Sequence, residues 1–178
     1  CVDGGADTDR LYRENLRFRY EKREERNHSV EVRQKSPYSS FRTTNFFYHR
    51  TVLERVPYDE RIMTYGYEDV MLGKALKEAG VRVLHIDNPV AYTSFESNAA
   101  YLKKLDESMR TLRNFAPELR EYSPLLGLVG LLRRYKLLPL ARLVYKFSGR
   151  RIRKKLAGRN PSLLLLKLYK LGFFVCMD

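Results

Sequence analysis

Two acids stand side by side at Glu68 and Asp69, directly after Tyr65-Gly66-Tyr67 and directly before an apolar, helix-periodic run. Adjacent like charges repel, so their pairing needs a compensating gain. One source is a helix start, where carboxylates meet the positive end of the helix dipole. The other is chemical: a rigid helix start holds a carboxylate beside a pocket, within reach of a hydroxyl proton. An aspartate with an ordinary pKa near ~3.9 is ionised at neutral pH and suits that task.

The elements that position these acids follow from pattern. Val70, Leu72, Ala75, Leu76 and Ala79 cluster on one side of a helix over 68–80, with Gly80 as its stop. Before it, 50–56 reads as a short helix and 57–66 as an irregular connection entered through Pro57. Residues 41–49, rich in Thr and aromatics, predict a strand. The alternation over 81–90 predicts a buried strand closed by Asn88-Pro89. Residues 96–116 predict a helix closed before Pro117. At the start, a strand end and a Gly4-Gly5 turn lead into a charged helix whose apolar positions are Leu11, Leu16, Phe18 and Tyr20. The polar stretch 28–40, with Pro37, predicts a loop. Strand, helix, strand, helix and a helical tail indicate an α/β body.

Hydrophobic residues make up 44% and charged residues 31% of 178, which is a globular rather than a disordered composition. The chain opens on Cys1 with no signal peptide before its first acids, and reads as a piece of a longer protein or a processed chain. Cys1 and Cys176 lie at opposite ends without a Cys-x-x-Cys spacing, which fits a reducing compartment.

With these residues in place, the chain resembles the C-terminal, acceptor-side part of a bacterial family 2 glycosyltransferase with the GT-A fold. The matching features are Thr43-Thr44-Asn45-Phe46-Phe47, Tyr65-Gly66-Tyr67-Glu68-Asp69, and the His85–Val90 strand end, with Gly4-Gly5 fitting a turn after the family's metal-binding strand. The resemblance covers roughly residues 1–115 and implies a partial GT-A (Rossmann-like) half-domain there, followed by a basic helical tail over 116–178. It implies inverting sugar transfer from a nucleotide-sugar donor to a glycan or lipid-linked acceptor in cell-envelope polysaccharide synthesis. Asp69 would be the base. Glu68 would bind acceptor hydroxyls or brace the loop. Thr44, Asn45, Tyr65, Gly66, Tyr67, Gly4 and Gly5 would contribute to substrate binding.

Members of this family hold a divalent Mg²⁺ or Mn²⁺ through an Asp-x-Asp after an apolar strand, since hard oxygen ligands suit those ions. Asp7-Thr8-Asp9 has the spacing but follows the glycines, so it is expected to be a solvated turn, and no metal ligand is assigned in this chain. The metal pair and the nucleotide pocket are expected before Cys1, which would leave this chain inactive by itself. Tyr92 stands where the family often has a histidine, and His85 is expected to be a core residue. The absence of Trp and of Gln-x-x-Arg-Trp removes the likeness to processive synthases.

Charge is divided unevenly. Residues 1–122 carry 21 Lys/Arg and 20 Asp/Glu, whereas 123–178 carry 13 Lys/Arg and a single acid, Asp178. The longest apolar run there, Leu125–Leu132, falls short of the ~20 residues a spanning helix needs. Leu clusters alternating with Lys/Arg, and broken at Pro139, Gly149, Gly158 and Pro161, predict short amphipathic helices on an anionic membrane. The expected location is peripheral, at the inner, cytoplasmic face of the cytoplasmic membrane. The alternatives are a helical bundle on the body, a membrane-surface adaptor, and a nucleic-acid-binding module, the last not expected because the body is nearly neutral.

Overall fold

The computed structural model describes residues 2–3, 6–8, 13–25, 28–92 and 94–177. Cys1, Gly4, Gly5, Asp9 and Leu11 lie outside them. In chain order the elements are β1 (Val2–Asp3), β2 (Ala6–Thr8), α1 (Leu16–Glu25), α2 (Val30–Lys35), β3 (Phe46–Phe47), α3 (Arg50–Arg55) and α4 (Glu68–Glu78). There follow β4 (Leu84–His85), β5 (Val90–Tyr92), α5 (Asn98–Asn114), α6 (Ala116–Leu119), α7 (Pro124–Arg134), α8 (Leu138–Ala157) and α9 (Leu163–Cys176). Helix far outweighs strand. The strands form two small sheets, β3-β1-β4 and β2-β5. β1 runs parallel to β4 and β2 parallel to β5, with Val2 opposite Leu84 and Ala6 opposite Val90, while β3 is antiparallel to β1. Parallel neighbours require a long crossover, and α1 to α4 supply it.

Several expectations change. The predicted strand 41–49 shrinks to Phe46–Phe47, because Thr43 to Asn45 form a turn. The predicted strand over 81–90 is only Leu84–His85, with Val90 opening a second strand. The cause lies in the stretch expected to be a loop, which contains α2, capped by Ser29. Gln34 Oε1 accepts from His85 N at 2.9 Å, and Arg33 donates to Ile86 O at 3.0 Å. Side chains of α2 thus take backbone groups that another strand would otherwise pair. Ala6–Thr8, expected to be a turn, is strand β2. Gly149 does not break the tail: it sits inside the 20-residue α8, whose start carries Pro139 in the first turn, where proline is tolerated.

Three apolar clusters hold the molecule. Phe41, Val56, Leu72, Leu76, Val81 and Val83 pack α4 against the connections around it, with Phe46 of β3 at the edge. Leu16, Tyr101, Leu102 and Leu105 meet Leu156, Leu166 and Tyr169. Met71, Met109, Leu112 and Leu119 meet Val129, Phe174 and Val175. The last two clusters join body and tail, with α5 as their common wall. Its apolar residues at 101, 102, 105, 109 and 112 recur at helical spacing, so they form one stripe. Asp106 fastens the same junction, accepting from Tyr169 Oη and Arg153 Nη1, each at 2.6 Å.

Candidate active site

Asp69 lies in the first turn of α4, and the approach to that turn is unusual. Gly66 has φ +102° and Tyr67, the N-cap, has φ +71°. Two successive residues of positive φ turn the chain sharply into the helix. The second is not glycine and carries the strain of a left-handed side-chain residue. Gly66 has a further reason to be glycine: a Cβ there would lie 2.4 Å from Ser108 Oγ on α5. Thr111 Oγ1 donates to Tyr65 O at 3.0 Å, and Tyr65 N donates to Glu107 Oε1 at 3.2 Å. The turn is therefore seated on α5, and the seat fixes where α4 begins.

The turn opens on a cavity of about 470 Å³. Glu68 and Asp69 share its wall with Thr44, Tyr65, Gly66 and Tyr67. Asp69 is half-buried. Burial raises its carboxyl above the ordinary range, while a 2.9 Å bond from its neighbour Val70 N and the positive charge of Arg42 pull the other way. The sequence suggested an ordinary aspartate; burial makes it a stronger base than that. Asn45 is turned to a structural task, donating from Nδ2 to Asn88 O at 2.6 Å. It is not on the cavity wall.

Much of the wall was not foreseen. From α1 come Arg17, Tyr20 and Glu21, from the connection before β3 comes Arg42, and from α9 comes Lys170. Glu21 accepts from Arg42 Nη1 at 3.3 Å, and Arg17 pairs with Glu96 at 2.9 Å. Burial opposes the charge on Arg42, but Glu21, Tyr20 and Asp69 raise its pKa on balance. Arg17 Nε is buried without a hydrogen-bond acceptor. Burial pushes Tyr20 and Tyr67 up to about 12, so both keep their phenolic protons. Burial lowers Lys170, which lies 5.4 Å from the Tyr20 ring centroid and forms no ion pair among the described residues. Spacing carried one faint signal, since Arg17 and Glu21 fall on one face of α1 at i, i+4. A single lysine in a lysine-rich tail carried none.

The chain matches no family model, no curated protein and no solved structure. What the site does must therefore come from its chemistry. Gly4 and Gly5 lie outside the described residues, and so does Asp9. Asp7 belongs to β2. Among the described residues no three His, Cys, Asp or Glu side chains are grouped so as to hold a metal ion. His85 is buried away from the cavity, with Nε2 3.0 Å from Pro37 O and Nδ1 3.2 Å from Arg33. The arrangement around Asp69 offers a half-buried carboxylate, a second acid beside it, and tyrosine rings and cations on the same wall. That set can bind a polyhydroxylated ligand and take one proton from it.

Proposed function

We propose that this chain is the acceptor-side part of an inverting, nucleotide-sugar-dependent glycosyltransferase of family 2, and that Asp69 is its general base. The observation that carries the reading is the half-buried Asp69 carboxylate, raised by burial, on the wall of a cavity that Tyr65 and Tyr67 also line. A base works best when its pKa approaches the operating pH, and burial moves Asp69 in that direction. The assignment of 1–115 to a partial GT-A half-domain rests on the sequence resemblance, beside which the parallel β1–β4 and β2–β5 pairs are short.

In the proposed step the acceptor hydroxyl attacks the anomeric carbon of the donor sugar. Its O–H proton passes to Asp69 as the new C–O bond forms. The bond from the anomeric carbon to the diphosphate breaks on the opposite face, and its electron pair leaves with the nucleoside diphosphate. Configuration at that carbon inverts. Glu68 binds acceptor hydroxyls, and Tyr65 lays its half-exposed ring against a sugar face. The divalent metal expected of the complete enzyme has no three-residue ligand group among the described residues. The acceptor class is a glycan or lipid-linked glycan of the cell envelope, met at the inner face of the cytoplasmic membrane.

Nucleoside diphosphate release from a panel of nucleotide sugars tests the reading. The 178-residue chain alone is expected to be inactive, and the protein extended N-terminally by a donor-binding half to transfer sugar. In the extended protein Asp69→Asn is expected to lower turnover by ~10²–10⁴-fold. Turnover within about threefold of the parent would reduce the acid pair to helix capping. Robust transfer by the isolated chain would overturn the acceptor-side assignment.

A further inference from the structure

The C-terminal helices leave a second cavity, of about 750 Å³, between α8 and α9, on a different part of the molecule from Asp69. Arg142, Lys146, Arg150 and Arg153 line one side of it at successive turns of α8. Tyr169 and Phe173 of α9 form its apolar floor. No acid lines it. Arg153 is compensated by Asp106, and Arg142 Nε donates to Val175 O at 2.7 Å. Lys146 and Arg150 are exposed and form no ion pair among the described residues.

Beside this groove α8 carries an apolar stripe that none of the described residues covers. Leu140, Leu143, Val144 and Phe147 recur at i, i+3, i+4 and i+7, which places them on one face, and Phe147 is 74% exposed. Leu128, Leu131 and Tyr135 of the α7 end are also exposed. Contiguous apolar surface of this kind on a charged molecule marks an interaction site. No helix of the described residues is long and apolar enough to cross a membrane.

We propose that the α8–α9 groove seats the phosphate headgroup of an anionic bilayer lipid, while the α8 stripe lies among the acyl chains next to it. Uncompensated cations and an exposed aliphatic face on one helix are complementary to the two layers of a lipid surface. Aliphatic Leu140, Leu143 and Val144 gain by leaving water for hydrocarbon, whereas stacking on nucleic-acid bases calls for aromatic or guanidinium planes. The inference does not rest on the glycosyltransferase reading. It places the membrane contact on α8, whose four-residue stripe is the longer exposed face; α9 buries Leu166, Tyr169, Phe174 and Val175 and leaves Leu164 and Leu168 exposed.

Co-sedimentation of the full chain with phosphatidylcholine vesicles, with and without phosphatidylglycerol, tests this. Binding is expected only with the anionic lipid and is weakened by salt, which screens charge within ~10 Å at 0.1 M. Lys146→Glu with Arg150→Glu is expected to reduce partitioning on the order of 10²-fold, and Phe147→Ser about tenfold. Lys77→Glu with Lys103→Glu makes the same net-charge change on exposed body sites and is expected to stay within about threefold of the parent. All the altered side chains are exposed, and circular dichroism checks each fold. Failure to bind anionic vesicles overturns the proposal, as do equal losses in the two charge-reversed pairs. Displacement by free phosphate, or by RNA binding more tightly than the vesicles, assigns the groove to another ligand and overturns it as well. Because no sugar transfer is measured, these outcomes leave the Asp69 assignment untouched.

Discussion

Helices α8 and α9 are written in nearly the same alphabet of Leu, aromatic residues, Lys and Arg, with no acid in either. Their fates differ. α9 buries Leu166, Tyr169, Phe174 and Val175 and sends Lys170 to the wall of the Asp69 cavity. α8 docks its last turns through Leu156 and leaves Leu140, Leu143, Val144 and Phe147 in water. The first half of α8 packs one side on the core through Leu138, Ala141 and Tyr145, and α5, whose single apolar stripe is covered by α9 and the end of α8, offers nothing to its other side. An amphipathic helix states only that it needs a partner. Whether the partner is protein or something outside depends on how many apolar stripes the rest of the chain provides.

That contrast can be broken most sharply by function. In the extended protein, Asp69→Asn is expected to lose ~10²–10⁴-fold of turnover on every acceptor, soluble or membrane-borne. Leu143→Ser with Phe147→Ser, on the outer side, should lower turnover only on acceptors presented in vesicles. If the outer double variant also loses turnover on a soluble acceptor, the separation of the two sides fails.

Stability gives the next contrast. Leu166 is 2% exposed, so Leu166→Ala is expected to cost about 2–5 kcal/mol in urea unfolding. Leu143→Ala removes the same atoms from a half-exposed position and is expected to stay within about 0.5 kcal/mol. Equal losses would mean that α8 is as deeply packed as α9.

Gly66→Ala tests the seat of the acid pair. Its Cβ would meet Ser108, and its φ disfavours any side chain, so a loss of about 1–3 kcal/mol is expected. Turnover should fall with it, since the turn sets where Asp69 points.

The smallest effects are electrostatic. Burial raises Asp69, so the folded state holds its proton at a pH where the unfolded chain has released it. Stability from this group therefore declines as pH climbs from the ordinary carboxylate range through the raised folded value. Asp69→Asn removes that decline, and its melting temperature at neutral pH is expected to match the parent or exceed it by up to about 4 °C. A residue serving only as a helix cap would lose stability on the same change. Lys170 has the opposite sign of charge and the same lesson. Burial lowers it, so its cost is full below the folded value and is relieved as pH rises toward that of a free lysine. Lys170→Met is expected to be no less stable than the parent, and Lys146→Met on α8 to show no change beyond about 0.5 kcal/mol.

These contrasts also explain which parts could be read in advance. α4 was legible because its apolar period, paired acids and Gly80 agree, and Gly80 does take a positive φ of 67°. α3 was legible too. α2 was not, because its only apolar residues, Val30 and Val32, stand two apart and make no helical face, and its role is to offer Gln34 and Arg33 to a strand edge. The strand over 81–90 misled for the same reason: Val81 and Val83 are core residues, yet β4 ends at His85, with Gln34 holding its backbone N–H. At the site, Asp69, Glu68, Tyr65 and Tyr67 announced themselves by spacing. Arg42, Tyr20 and Lys170 come from distant segments, and only the packing of α1 and α9 on α5 gathers them.

One helix borders both cavities. Tyr169 and Phe173 of α9 floor the groove beneath α8, and Lys170 faces the pocket of Asp69. Gly172 sets α9 against Tyr145 so closely that a Cβ would sit 2.1 Å from the ring, which pins the register of the two helices. A pinned helix answers as a rigid rod. By thermodynamic linkage, any coupling carried along this wall runs both ways. Occupancy of the groove and occupancy of the pocket are then reciprocal quantities: whatever factor the first applies to the affinity of the second, the second returns in full.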